Sequence, residues 1–325
     1  MALWQTHHSS HRRSKRKRFS KKILTILLIL ALAVISYFTE PWQYLGGGEL
    51  QSQTNAAITD LQVHYLDVGQ ADSILIQVPV NGKTKNILID AGSSETSKDA
   101  DLESLLIHYG VEELEYFIIT HPHTDHDGSA DMVIKKFKIN NVILPECLPG
   151  LSNTTWLRLL EKMDEKGLTY IPAKAGDTYK VGDASFKILG PVDVSALVKS
   201  SNDFNNYSVV LRLTYGSTHF MFTGDAERES EAQILQAFSK GELACDVLKA
   251  GHHGSRTSSS AAFLKAVNPS IAIISCGKDN DYGHPHKETI TNMKSMNITM
   301  LRTDKIGTIT ICSDKTRVYQ LTNDQ

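Results

Sequence analysis

At 325 residues, 41% hydrophobic and 22% charged, the chain has the length and composition of a globular protein with one large domain or two smaller ones. Its formal net charge of −2 hides an uneven distribution: eight of the 34 Lys and Arg lie in residues 12–22, which contain no acid, so 26 basic and 36 acidic residues remain, a net of −10. Composition therefore advertises no long basic groove for nucleic acid, and four cysteines without a short CxxC spacing exclude a zinc ribbon and argue against a disulfide framework. Behind the basic tail (1–22), ILTILLILALAVISYF (23–38) runs 16 residues without a charge. That is slightly short of the roughly 20 of a full membrane span, and Trp42 and Tyr44 are suited to the interface that would complete it. The segment is expected to be a transmembrane signal-anchor, its basic flank in the cytoplasm and the rest of the chain outside the cell. Cleavage as a signal peptide at the small-x-small site Ala31-Leu32-Ala33 is the alternative, giving a secreted protein. Residues 39–59, Gly-rich and then polar, read as a linker to a domain over 60–325.

Within that domain, short apolar runs separated by turn residues predict strands at LQVHYLDV (61–68), DSILIQVPV (72–80) and NILIDAG (86–92). Leu102, Leu105, Leu106 and Tyr109 have helical spacing, so a helix is expected over 98–110, ended by Gly110. The alternation continues with a strand over 114–120, a helix over 129–137, a strand over 140–146 and a helix over 154–167. A β-rich stretch follows (TYIPA, SFKILG, YSVVLRLTYG, THFMFTG). Then come ERESEAQILQAF, CDVLKAG, SSAAFLKAV, SIAIISC and HKETITNMKSM as helix–strand pairs, and a terminal β pair over 306–322. Two β-rich halves, each with helices after its strands, predict an α/β sandwich with helices on both outer faces. Cys245, Cys276 and Cys312, in or beside apolar runs, are expected as buried free thiols; Cys147 sits in a Pro-flanked loop.

The chemistry concentrates at the ends of apolar runs. HPHTDHDG (121–128) follows LEYFIIT and holds five metal-ligand side chains, His121, His123, Asp125, His126 and Asp127. Imidazole and carboxylate suit borderline divalent metals such as zinc, and a loop leaving a strand can fan closely spaced side chains toward two points. Asp90 ends NILID, Asp225 ends HFMFTGD, and His252 and His253 follow CDVLKAG. Each alone is a turn residue or a helix cap, as Asp225 would be for a helix beginning near Glu227. Together they describe a site assembled at one sheet edge.

In these residues the chain resembles the metallo-β-lactamase fold hydrolases, over about residues 60–322. HxHxDH is matched by His121, His123, Asp125 and His126, the later Asp by Asp225, and the final His by His252 or His253. LDVGQADSILI, NNYSVVLRL, FTGDAE, LKAGHHGSRTSSS and YGHPH further resemble the β-lactamase-like domain of ComEC-type competence proteins and related secreted hydrolases. The large membrane-channel region of the competence proteins has no counterpart in these residues, so the channel itself is not expected here. The resemblance implies an αββα sandwich with two divalent ions, Zn²⁺ or Mn²⁺. His121 and His123 would hold the first ion, Asp125, His126 and His252 the second, and Asp225 would bridge them. Asp90 and Asp72 would orient ligating imidazoles from behind, with Gln70 a candidate for the same role. Asp225 would also orient the attacking water, so no Ser or Cys nucleophile is needed. His253, His284 and His286 are expected to meet the substrate or protonate its leaving group, with Ser255 and Ser258–Ser260 as phosphate donors; the serines serve equally as a helix cap. The family's third His for the first metal is missing. His219 lies within a strand, and Asn206 occupies the corresponding region as a weak oxygen donor, which predicts a loosely held first metal.

The expected function is an extracellular, membrane-anchored phosphodiesterase or nuclease, with phosphodiesters, DNA among them, as substrate. Hydrolysis of another ester or amide (a lactone, a phosphorylcholine or a cell-wall substituent) and a non-catalytic module assisting DNA uptake are the alternatives.

Overall fold

The computed structural model describes residues 58–94, 101–146, 153–197 and 204–321. The basic tail, the apolar segment 23–38, almost all of the linker and Cys147 lie outside the described residues. Among the described residues no helix is long and apolar enough to cross a membrane.

In chain order the first half comprises β1 (Leu61–Tyr65), β2 (Ile74–Val80), β3 (Lys83–Ile89), α1 (Leu102–His108), β4 (Glu113–Ile118), α2 (Thr124–Asp127), α3 (Ala130–Lys136), β5 (Lys138–Ile139), β6 (Val142–Leu144), α4 (Thr154–Glu165) and β7 (Tyr170–Pro172). The second comprises β8 (Thr178–Val181), β9 (Ala184–Gly190), β10 (Val210–Tyr215), β11 (Thr218–Phe222), α5 (Arg228–Ala237), α6 (Lys240–Leu243), β12 (Val247–Lys249), α7 (Ala261–Val267), β13 (Ile271–Ile274), α8 (Lys287–Ser295), β14 (Thr299–Arg302) and α9 (Thr303–Ile306). β15 (Ile309–Ser313) and β16 (Val318–Gln320) then return to the first sheet, whose order is β16-β15-β1-β2-β3-β4-β6-β7, with β5 beside β4. The second sheet runs β14-β13-β12-β11-β10-β9-β8.

Strand alternation builds the layers. Ile74, Ile76 and Val78 of β2 point to the same core as Phe220 and Phe222 of β11, while Leu75 and Met221 point the other way. That core lies between the sheets. A second packs α1, α3 and α4 on the outer face of the first sheet through Leu106, Val133, Trp156 and Leu159. A third packs α5, α7 and α8 on the second sheet through Ile234, Phe263 and Met293. The result is the expected order of helix, sheet, sheet, helix. β3, β4, β6 and β7 are mutually parallel, as are β11 to β14, which forces crossovers that the helices supply. All carboxyl ends of a parallel set lie at one edge.

Two expectations are corrected, and one strand goes unforeseen. β1 stops at Tyr65 rather than residue 68: the last bond to the neighbouring chain is Leu66 N–H to the Ser73 carbonyl, and the chain beyond it turns back toward β2. The segment 303–306 is a helical turn, and the terminal β pair begins only at Ile309. β14, four partly exposed residues, carries too weak a pattern to be read from sequence. Cys245, Cys276 and Cys312 are free and buried, and burial pushes the Cys276 thiol up to about 12 and Cys312 up to about 11.

Candidate metal centre

His121 and His123 leave β4, and the chain then turns into α2, with His123 at its N-cap and Asp125 and His126 on its single turn. A helical turn thus stands where the sequence predicts an open loop. Gly128 makes it possible: a Cβ there would lie 2.3 Å from the Thr124 carbonyl oxygen and 2.5 Å from the Ser94 nitrogen. From the second sheet Asp225 follows β11, and His252 and His253 follow β12 with consecutive left-handed backbone, φ 50° and 52°. Asp90, after β3, has φ 59°. Left-handed non-glycine residues cost on the order of 1–3 kcal/mol each. Their concentration here shows backbone held against its local preference by what surrounds it.

The buried imidazoles are fixed through Nδ1. His126 Nδ1 donates to Asp90 Oδ2 at 2.8 Å; Asp90 also accepts from Thr120 N at 2.7 Å and Thr120 Oγ1 at 2.8 Å. His253 Nδ1 donates to the Ser275 carbonyl at 3.0 Å and faces Asp72 Oδ1 at 3.4 Å. Thr120 commits its hydroxyl hydrogen to Asp90, so His121 Nδ1 donates to Thr120 Oγ1 at 3.1 Å. Each of these rings therefore turns its Nε2 inward. His126 Nε2 lies 3.3 Å from Asp225 Oδ1, and His253 Nε2 lies 3.2 Å from Asp125 Oδ2 and 3.6 Å from Asp225 Oδ2. His121 Nε2 lies 2.9 Å from His123 Nδ1 and 4.0 Å from Asp225 Oδ2.

Imidazole nitrogens that face carboxylate oxygens at these distances share either a proton or a metal cation with them. His126 Nε2 and Asp225 Oδ1 are buried without a hydrogen-bond partner, which is how ligand atoms look when their partner is an ion. Ligand atoms of Asp125, His126, Asp225 and His253 all fall within 4.8 Å of one another. This set fits one divalent ion, and His121 and His123 with the shared Asp225 fit a second. The field agrees. Burial alone would lower His126 and His253; Asp225, with Asp90 and Asp125, instead raises His126 well above the usual imidazole value, and Asp225, Asp72 and Asp125 raise His253 to about 10. What draws protons to these rings draws a cation equally.

Several expected residues sit elsewhere. His253 rather than His252 joins the ligand cluster. His252 is on the cleft wall, Nε2 3.6 Å from Asp225 Oδ2 and Nδ1 3.3 Å from Glu227 Oε1. Asn206 is not placed as a ligand: its Oδ1 accepts from Glu227 N at 3.0 Å and Ser230 N at 3.3 Å, capping α5, and its neighbour Asn205 reaches the cleft. The cap expected of Asp225 is thus supplied by Asn206. Ser255 Oγ bonds Thr257 Oγ1 at 3.0 Å, and His286 Nδ1 accepts from Arg256 N at 3.0 Å; neither lines the cleft. Ser260 caps α7 by accepting from Phe263 N. His284 lines the cleft; burial, then the charges of His253, His252 and His286, lower it to about 4. Gln70 takes Gly277 N–H on Oε1 at 2.9 Å, so its amide nitrogen is the end that faces His284 Nδ1 at 3.4 Å. His284 is left with a neutral Nε2–H to donate. Asp90 and Asp72 stand behind His126 and His253, and Asp72 also pairs with Lys249 at 2.7 Å, both fully buried. Lys249, Glu227, Thr120 and Ser208 are absent from the sequence-based set. Only Lys249 had a signal there, a lone charge inside the apolar run CDVLKAG.

The cleft, about 420 Å³, is lined by Gln70, Asn153, Asn205, His252, Tyr282 and His284 around the ligand cluster, with no Lys or Arg among its described lining residues.

A family model of the metallo-beta-lactamase superfamily matches residues 66–278. ComE operon protein 3 of Bacillus subtilis is 32% identical over 262 residues, 76% of this chain and 32% of that protein. Competence protein ComA of Neisseria gonorrhoeae is 29% identical over 265 residues, 80% of this chain and 33% of its own. Recombination protein 2 of Haemophilus influenzae is 34% identical over 228 residues, 69% of this chain and 25% of its own. The chain spans about a third or less of the length of these relatives.

Proposed function

Because the chain belongs to the metallo-beta-lactamase superfamily, we propose that it is a metal-dependent phosphodiesterase, anchored by residues 23–38 with its domain outside the cell. The observation that carries the catalytic reading is the convergence of inward Nε2 atoms on Asp225 at the floor of a polar cleft. Divalent ions bound there supply Lewis acidity and bring the pKa of water toward neutrality. Hydrolysis adds a water oxygen to phosphorus, breaks the bond to the leaving alkoxide and returns one proton to it. His252, backed by Glu227, is placed to give that proton. His284 Nε2–H donates to a phosphoryl oxygen without changing charge, and Gln70 holds its ring. Asn153, Asn205 and Thr124 line the remaining wall with uncharged polar groups, suited to a compact anion already neutralised by metals.

The test is a panel offered to the full chain with Mn²⁺ or Zn²⁺: single-stranded DNA, bis-nitrophenyl phosphate, a phosphorylcholine ester and a lactone. Turnover of the phosphodiesters, lost in Asp225→Ala, is expected; turnover of the lactone alone would end the phosphodiesterase reading. Protease added to intact cells is expected to digest the domain over 60–322. Digestion only after lysis would refute the topology.

A further inference from the structure

Tyr282 is 68% exposed and lines the metal cleft. One face of its ring stacks on His284, centroids 5.7 Å apart at 23°, and His284 in turn lies 6.2 Å from His253 at 25°. Three nearly parallel rings thus lead from the ligand cluster to the rim. The loop under them is tightly held. Asn280 accepts from His284 N at 2.9 Å and donates to the His284 and Gly277 carbonyls at 2.7 and 2.9 Å, and Gly283 N–H returns to the Asn280 carbonyl. Gly283 has φ +70°, which a side chain would resist. An aromatic face offered from so fixed a loop is preorganised for a flat partner.

We propose that Tyr282 is a stacking platform for a nucleobase next to the scissile phosphodiester, so that the preferred substrate is a nucleic-acid strand or short oligonucleotide. This rests on the phosphodiesterase reading and goes beyond it. Charge favours the base over the backbone as the handle. The cleft lining has no Lys or Arg, the chain outside its basic tail carries −10, and the segment Lys278, Asp279, Asp281 beside Tyr282 is net acidic. A phosphate track over this rim meets a net negative charge, whereas a neutral base loses nothing by lying on the ring. Stacking is also sequence-tolerant, since every base has a π-face.

The experiment uses the full chain loaded with Mn²⁺, a single-stranded oligothymidylate, and an oligomer of equal length whose residues are abasic. Hydrolysis rates are measured with binding by fluorescence anisotropy. The thymidylate is expected to bind about tenfold tighter than the abasic strand, as loss of one base–aromatic stack implies. Tyr282→Ala should erase that difference by weakening the thymidylate alone, and Tyr282→Phe should keep it. Equal binding and hydrolysis of the two strands, or equal loss on both in Tyr282→Ala, overturns the platform and leaves the phosphodiesterase intact. A chain inert toward both strands overturns the nucleobase platform, and the phosphodiesterase reading falls with it only if bis-nitrophenyl phosphate and the phosphorylcholine ester are also left intact. A Tyr282-dependent preference for a phosphocholine diester over the thymidylate overturns the nucleobase as the occupant.

Discussion

Lys249 of β12 and Asp72 of the loop between β1 and β2 form an ion pair with neither side chain exposed, directly behind His253. Burial pushes the Asp72 carboxyl up, but Lys249 and then His253 outweigh it and hold the group down to about 2. Removing one partner of such a pair strands the other. Lys249→Met is therefore expected to cost about 3–5 kcal/mol in urea unfolding, and adding Asp72→Asn should recover most of it. A single variant as stable as the parent would show that the pair holds nothing. The two adjacent histidines separate by a different measurement. His253→Ala should lose metal by elemental analysis, while His252→Ala should retain it and lose rate. Asp225→Ala should lose both metals at once, being shared between the two sets. Sequence could not tell the pair apart: their order along the chain favours His252, and only the consecutive left-handed backbone turns His253 inward.

At the scale of elements, α5 begins on a borrowed cap. Its own N-cap, Glu227, turns its carboxylate to Asn205 and His252 and makes no capping hydrogen bond, and Asn206, from the turn before β10, supplies the acceptor. Asn206→Ala should destabilise the fold by about 1 kcal/mol in thermal or urea unfolding. Asn206→His, which would complete the first metal if that position held a ligand, should do the same and leave metal affinity unchanged in a titration. β1 carries a second test. His64 is fully buried, with Nδ1 on Thr310 and Nε2 on Gln77, and burial lowers it to about 4 from its ordinary 6.5. Between those values the unfolded chain binds the proton that the folded one refuses. Stability should thus be complete above pH 6.5 and fall on acidification by about 1.4 kcal/mol per pH unit until pH 4. A His64→Gln variant should show a shallower loss over that window. Elements with long alternating or helical patterns, such as β2, β11 and α4, were legible in the sequence, as were the HxHxDH ligands and Asp225. Neither β14 nor the Asn206 cap was, since a short half-exposed strand has no period and a tertiary cap has no local spacing.

The whole molecule is needed to make the site. His121, His123, Asp125 and His126 belong to the first sheet, Asp225 and His253 to the second, so cations there tie the two layers together. Chelation should therefore lower the melting temperature, and Mn²⁺ or Zn²⁺ should restore it, with no such response in Asp225→Ala. The strand registers carry one more consequence. Tyr65 pairs with Ile74, and Ile74 with Ile89, the residue before Asp90, which sets the carboxyl end of β1 beside the cleft and its beginning, Leu61, at the far end of the strands. Leu321, by contrast, hydrogen-bonds the Thr310 carbonyl, a residue paired with His64 and much nearer the cleft. A bead, dye or fusion partner coupled just ahead of Leu61 will leave the approach of a bulky polymer clear. The same cargo coupled after Leu321 will stand beside the opening, so an immobilised enzyme should be oriented by its leading end.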